Sequence, residues 1–283
     1  GGDNNDILVG GGGDDRLLGG TGDDSLLDLS GGFDDLLGEQ GNDTIFGYGG
    51  SQELAGGEDN DSIYGGDGIA INLRLYGDGG DDTLVAGTGN DGPTAGTRKL
   101  TGGIGRDSLV GSANHDSLIG DAGNDTLVGG IGNDTLLGGA DNDWLDYSAE
   151  AGNITVTLNS RATLAGGNDS LSGFEVLISG TGNDVLTGTR SAETIYAGAG
   201  SDSISASSGN DWIEGGDQND SLVGSSDSDT LLGGAGNEAA LATGGAPAVG
   251  GAPIAAGNEI MANNGGCGPG HVHEGPLDEV PVH

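Results

Sequence analysis

Cysteine, methionine and aromatic side chains are nearly missing from this 283-residue sequence, which has one Cys, one Met, two Trp, five Tyr and three Phe. Lone Cys267 cannot close an internal disulfide, so no cross-linked framework holds the chain. So few rings exclude an ordinary globule packed round bulky core residues. Proline is scarce before the C-terminal tail and glycine does not recur at every third residue, which excludes a collagen-like triple helix. No apolar run approaches the roughly 20 residues of a membrane-spanning helix. Positive charge is also short: seven Lys and Arg stand against 45 Asp and Glu, for a net charge of -38. Nucleic acid and anionic membrane surfaces are therefore not expected as partners, and membrane insertion is not predicted. Neither a Ser-His-Asp set nor an H-E-x-x-H motif stands out, and no catalysis is expected. No secretory leader opens the sequence, and Gly1 already lies inside a repeat. The chain reads as a fragment, or as the mature product of a longer precursor.

What is abundant is glycine, 65 residues of it, and it is periodic. Residues 102–110 read GGIGRDSLV and are followed by GSANHDSLI, GDAGNDTLV, GGIGNDTLL and GGADNDWLD. Asp107, Asp116, Asp125, Asp134 and Asp143 thus recur every nine residues, each after a glycine-rich stretch and two places before a large aliphatic. The same frame holds Asp6, Asp15, Asp24, Asp35, Asp43, Asp61, Asp82 and Asp91 earlier. It restarts at Asp184 and continues through Glu193, Asp202, Asp211, Asp220 and Asp229 to Glu238, with Asp169 in between. A unit this short cannot bury a core alone, so it must be one element of a stacked solenoid.

The glycines permit sharp turns with exposed carbonyls. The three residues after the acid suffice for a short strand that turns its aliphatic inward. Leu109, Leu118, Leu127, Leu136 and Leu145 form one inward set, and Ile195, Ile204, Ile213, Leu222 and Leu231 form its later counterpart. With two nonapeptides per coil, residues eighteen apart stack at about 4.8 Å, placing Asp107 beside Asp125 and Asp184 beside Asp202. Columns of carboxylates at that spacing repel, and a hard divalent cation removes the repulsion. Calcium takes six to eight oxygens in flexible geometry, whereas magnesium demands tight octahedra. The repeat motif has no recurrent thiolate or imidazole for zinc or copper.

These residues carry a resemblance. GGxGxDxUx is similar to the nonapeptide of the calcium-binding repeats-in-toxin (RTX), or hemolysin-type, family, and the match covers most of residues 1–238. The resemblance implies an all-β, right-handed parallel β-roll, with multiple Ca²⁺ ions held between loops by the sixth-position Asp and by glycine-loop carbonyls. Gly103, Gly105, Gly123, Gly130, Gly132, Gly182, Gly200, Gly209 and Gly216 are the loop glycines expected beside those ions. Type I secretion and folding triggered by extracellular calcium are also implied, with on the order of ten to twenty ions bound. Gln52, Ala70 and Pro93 break the motif and Glu193 and Glu238 lengthen the carboxylate, so weak or vacant sites are expected there.

Four stretches are expected along the chain. Residues 1–146 are a β-roll block with irregular turns near 28–38, 65–76 and 92–101; two residues, Asp28 and Leu29, read as extra, with one missing before Gly38. Residues 147–178 are an extended insert whose Ile154, Val156 and Leu158 alternate like a strand, as do Val176 and Ile178. Asp143 to Asp169 is one residue short of three repeats, which suits a continuous solenoid with a reshaped turn, the favoured reading, or two rolls with an elaborated joint. Residues 179–241 form a second regular block. Residues 242–283 are a flexible Ala/Gly/Pro-rich tail.

Blander readings apply elsewhere. Position-five acids such as Asp14, Asp23, Asp34 and Asp81 are expected to face water, and Asn-Asp-Thr triplets are by-products of the repeat rather than glycosylation sites. His115 is expected to be exposed, and His271, His273 and His283 near Cys267 read as a terminal segment rather than a transition-metal site. Three roles compete. The first is a calcium-binding structural module of a secreted, extracellular or cell-surface bacterial protein, self-associating through aligned apolar stripes into a layer, matrix or filament. The second is the C-terminal folding domain of a larger exported enzyme or toxin. The third is an ice- or carbohydrate-binding adhesin segment, ranked last because Thr21, Thr88 and Thr181 are sporadic.

Overall fold

The computed structural model describes residues 1–48, 52–67, 72–88, 97–236, 239–243 and 259–263, the backbone alone for 241–243 and 259–263. Ala70, Asp91, Pro93, Glu238, Cys267 and the C-terminal histidines lie outside the described residues. The described chain winds as a parallel β-solenoid with no helix. One wall is a sheet of 16 strands and the other a sheet of 12, consecutive strands alternating between them along each regular turn.

The register is the eighteen-residue stack expected from two nonapeptides per coil. On the 12-stranded second wall Leu109 pairs with Leu127 and Leu127 with Leu145. On the 16-stranded first wall Leu118 pairs with Leu136. These aliphatics point between the walls, and Leu109, Leu118, Leu127, Leu136 and Leu145 are wholly buried. So are Ile195, Ile213 and Leu222, with Ile204 and Leu231 nearly so. Each such side chain contributes roughly 1.5–3 kcal/mol by leaving water.

Many first-wall strands are longer than the expected three residues: Arg16–Thr21, Asp35–Gln40 and Glu53–Glu58 each span six. Side-chain-free glycines let neighbouring backbones continue pairing past the core residue. Two irregular turns return to the frame earlier than expected. Residues 98–101, read as part of an excursion, belong to the strand Arg98–Ile104, and the extended stretch near 65–76 yields Arg74–Gly79.

Residues 147–178 continue the solenoid. The second wall passes straight through, Leu145 pairing with Leu177 and Leu177 with Ile195. The first wall gains a hairpin: Thr155–Thr157 and Arg161–Thr163 pair antiparallel, and Arg161–Thr163 pairs antiparallel with Asn168–Ser172. The outer members of this meander rejoin the parallel ladder, against Thr135–Ala140 on one side and Val185–Thr187 on the other. Two additional strands widen the core locally, and the two aromatics buried there among the described residues, Tyr147 and Phe174, fill it. Asn159, at φ +56° in the hairpin turn, clasps Phe174 by accepting its N–H at 2.7 Å and donating to its carbonyl at 3.1 Å. In the tail, the backbone of Glu259–Asn263 pairs parallel with Ala239–Thr243, so this part extends the first wall instead of hanging free.

Candidate metal centre

The loops entering the second wall set one acidic residue per coil into a continuous column. Asp82 N–H donates to Asp107 Oδ1 at 2.8 Å, Asp107 N–H to Asp125 Oδ1 at 2.8 Å, and Asp125 N–H to Asp143 Oδ1 at 2.9 Å. The same backward-reaching bond links Asp6, Asp24, Asp43, Asp61 and Asp82. It continues from Asp143 to Glu175 Oε2, and from Glu193 through Asp211 to Asp229. Glu175, which carries no glycine-rich loop before it, was not expected in the column; its place eighteen residues before Glu193 is the signal that finds it.

Only one oxygen of each carboxylate is used by this ladder. The second oxygens of Asp24, Asp43, Asp61, Asp82, Asp107, Asp125, Asp143, Asp211 and Asp229 are buried without any hydrogen-bond partner. An unpaired buried carboxylate oxygen is costly, and a stack of them more so. Burial, followed by the charge of neighbouring carboxylates, pushes Asp61 up to about 8 and Asp107 and Asp143 to about 7. Burial likewise raises Asp82 and Asp211 to about 6. The folded chain, as its own atoms stand, opposes ionisation of the side chains it aligns.

The loops beside these acids are lined with backbone carbonyls. At Gly123, φ is +133°, and a Cβ there would fall inside van der Waals contact of Gly105 O in the preceding coil. Any side chain would therefore fill the gap between stacked loops. All nine glycines singled out from the sequence face such a carbonyl: Gly103 faces Asp78 O, Gly130 faces Ser112 O, Gly200 faces Gly182 O and Gly216 faces Gly198 O, for example. Seven of them have φ between +93° and +138°, while Gly132 and Gly182 lie outside that left-handed range.

The loops entering the first wall differ. Their acids include Asp15, Asp34, Asp116, Asp134 and Asp169, then Asp184, Asp202 and Asp220. Asp34 corrects the expected frame: it is wholly buried and accepts the Asp15 N–H at 2.8 Å, whereas Asp35 is exposed on the wall between Arg16 and Glu53. The turn at residues 28–37 holds one extra residue, not two, and none is missing before Gly38. Gln52 is buried in register in the column, without a carboxylate, and its Nε2 donates to Asp28 Oδ2 at 2.6 Å. Several acids here or nearby already hold a hydroxyl. Tyr147 donates to Asp169 at 2.7 Å, Ser112 to Asp116 at 2.8 Å, Ser179 to Asp184 and Thr189 to Glu193.

Position five is exposed as expected at Asp14, Asp23 and Asp81, but it is not idle. Its side chain reaches forward to the next coil: Asn42 N–H donates to Asp23 Oδ1 at 2.9 Å, Asn60 N–H to Asn42 Oδ1 at 3.2 Å and Arg106 N–H to Asp81 Oδ1 at 2.9 Å. His115 is exposed and plays the same part, its Nδ1 accepting the Asn133 N–H at 2.8 Å. Each loop thus carries two ladders running in opposite directions, which explains the recurrent Asn-Asp pair.

A family model of the RTX calcium-binding nonapeptide repeat, four copies long, matches residues 1–27, 29–51, 47–68, 74–92, 101–136, 119–152, 169–204 and 205–237. The solenoid with its metered acids is a repeat protein of the calcium-binding class. The chain belongs to the RTX calcium-binding nonapeptide repeat family. No curated protein matches it.

The residues present fit the ion the family implies. Unpartnered buried carboxylate oxygens supply negative charge, and the glycine cradles supply carbonyl oxygens, the donor set of a hard cation. Among the described residues no three His, Cys, Asp or Glu side chains converge as one cluster. Backbone carbonyls would have to complete each shell, with Asp24, Asp43, Asp61, Asp82, Asp107, Asp125, Asp143, Asp211 and Asp229 as candidate acidic members on this edge and Asp34, Asp134 and Asp202, whose second oxygens are likewise buried without partners, on the other.

Proposed function

We propose that this chain is a calcium-driven structural and folding module of a secreted bacterial protein, expanded at low calcium and folded into a rigid roll outside the cell. The observation carrying this reading is the column of buried carboxylates whose second oxygens lack partners beside carbonyl-lined loops. When bound, Ca²⁺ would supply the positive charge that the aligned carboxylates and loop carbonyls lack. The chain's own residues do the rest: position-six Oδ1 atoms fix coil spacing, glycines hold the loops close, and the aliphatic stack excludes water. Since the unfolded chain has no assembled site, ion binding and folding are one reaction. Calorimetric titration at neutral pH should show calcium uptake coupled to folding, with magnesium at the same concentration giving neither. Equal effects of the two ions would contradict the calcium-specific reading.

A second observation supports self-association as part of that role. From Ile7–Val9 to Thr126–Gly130 the outward residues flanking each core aliphatic on the second wall are Ile, Val, Leu, Phe, Tyr, Ser or Thr, with no charge among them. Phe46 and Tyr64 stack there with ring centroids 5.8 Å apart. The first wall instead presents Asp35, Glu53, Arg74 and Lys99. In a chain of net charge -38, this neutral strip is where two copies approach with least repulsion. Light scattering in millimolar calcium should show assembly that Tyr64→Glu abolishes; a monodisperse wild-type monomer would exclude it. Among the described residues no helix is long and apolar enough to cross a membrane.

A further inference from the structure

At residue 98 the register position that elsewhere holds a carboxylate holds an arginine, and that arginine is wholly buried. Arg98 pairs with Asp116 across the first wall, and the Lys99 N–H donates to Leu73 O, so the column runs Gln52, Leu73, Arg98, Asp116. Three successive coils on this edge therefore lack a carboxylate in register, while the opposite edge keeps Asp43, Asp61, Asp82 and Asp107. Arg98 Nη1 donates to Ala86 O at 2.8 Å and to Gly87 O at 3.2 Å. These carbonyls directly follow the second-wall strand Thr83–Val85. Glycine fits Gly87, at φ +90°, where a Cβ would strike Gly66 O of the coil before. The cradle is thus built like its neighbours, with a guanidinium inside it.

A buried guanidinium is tolerated only when its charge and N–H groups are met; two loop carbonyls accept from Nη1, and the Asp67 carboxylate interacts with its charge. Arginine keeps its charge at every accessible pH and presents its donors in a fixed plane.

We infer that Arg98 is a resident cation: its side chain fills the cradle of Ala86 O and Gly87 O that regular turns leave for a metal ion, and this coil assembles there without calcium. One coil beyond Leu73, the Gln52 amide N–H likewise answers a carboxylate, Asp28, without an ion. On the edge feeding the first wall, a protein-closed seam then separates the metal-binding run before Gln52 from those after Arg98. The edge feeding the second wall binds ions along its length.

This inference rests on the calcium reading of the regular turns, and ion counting by native mass spectrometry of the whole chain in calcium separates the two. Arg98→Asp, which removes the guanidinium and restores the acid, should bind one more ion than wild type. Arg98→Met, similar in length but neutral, should bind the wild-type number and fold with an apparent constant about thirtyfold or more less favourable, because two buried carbonyls lose their donor. A wild-type chain that binds no ions overturns the calcium reading beneath. A wild type that binds ions, with no gain in folded Arg98→Asp, overturns this inference alone. If Arg98→Asp fails to reach the wild-type circular dichroism in calcium, Arg98→Met decides: an unchanged calcium midpoint overturns the resident-cation role.

Discussion

Asp125 shows the conflict built into a single repeat residue: its Oδ1 holds the Asp107 N–H at 2.8 Å, while its Oδ2 is buried without a partner. Asp125→Asn keeps an acceptor for the ladder and removes the charge. It should show more β-structure than wild type in chelator, yet bind fewer ions in calcium. Loss of β-structure in both conditions would mean that the carboxylate is structural only. The pH dependence of the metal-free chain follows from the same carboxyls. Asp61, Asp107 and Asp134, with Asp82 and Asp202, sit at about 6 to 8 when folded, chiefly through burial, against an ordinary value of about 3.9. The folded state therefore holds more protons than the unfolded state between these values. The stability contributed is complete below about pH 4 and is lost as pH rises through roughly 6 to 8. Circular dichroism in chelator should show β-structure in mild acid that melts over that interval; more structure at pH 8 than at pH 5 would contradict it. Gly123→Ala should cost about 1–3 kcal/mol or more, from the left-handed backbone alone and then from the collision with Gly105 O. A calcium-loaded melting curve unchanged from wild type would refute the close stacking of loops.

At the scale of strand and turn, each element is stabilised by the coil before and the coil after. Leu127→Ala opens a cavity between Leu109 and Leu145 on the second wall and should cost about 2–5 kcal/mol. Because the architecture is one-dimensional, hydrogen exchange should accelerate most in those neighbouring coils and little near residues 204–222. Uniform acceleration would show that the roll melts as one unit. The inward leucines and the eighteen-residue stacking were legible because a strict period fixes which side chain faces the core. Asp34 was not, since two adjacent aspartates satisfy the motif equally and only pairing of Leu36 with Leu17 selects between them. Arg98 was hidden because its lengthened loop erases the spacing, although Leu100 two places on restores it. The position-five ladder joins residues through a neighbouring coil, and Tyr147 meets Asp169 through the inserted hairpin; neither contact follows from the local nonapeptide.

Across the whole molecule, charge and cohesion oppose one another. Forty-five acids in 283 residues favour an expanded chain in water, while a narrow aliphatic core and paired walls favour the roll. The two edges share the acidic load unequally: one column is acidic from Asp6 to Asp229, and the other is interrupted by Gln52, Leu73 and Arg98. On the proposed function calcium would shift the balance, because only the folded chain brings loop carbonyls beside those carboxylates. The most direct test is far-ultraviolet circular dichroism of the chain at neutral pH, first in chelator and then with millimolar calcium. Conversion from a coil spectrum to a β-spectrum on adding calcium, reversed by chelator, is the predicted result. A β-spectrum already complete in chelator and unchanged by calcium would contradict the account.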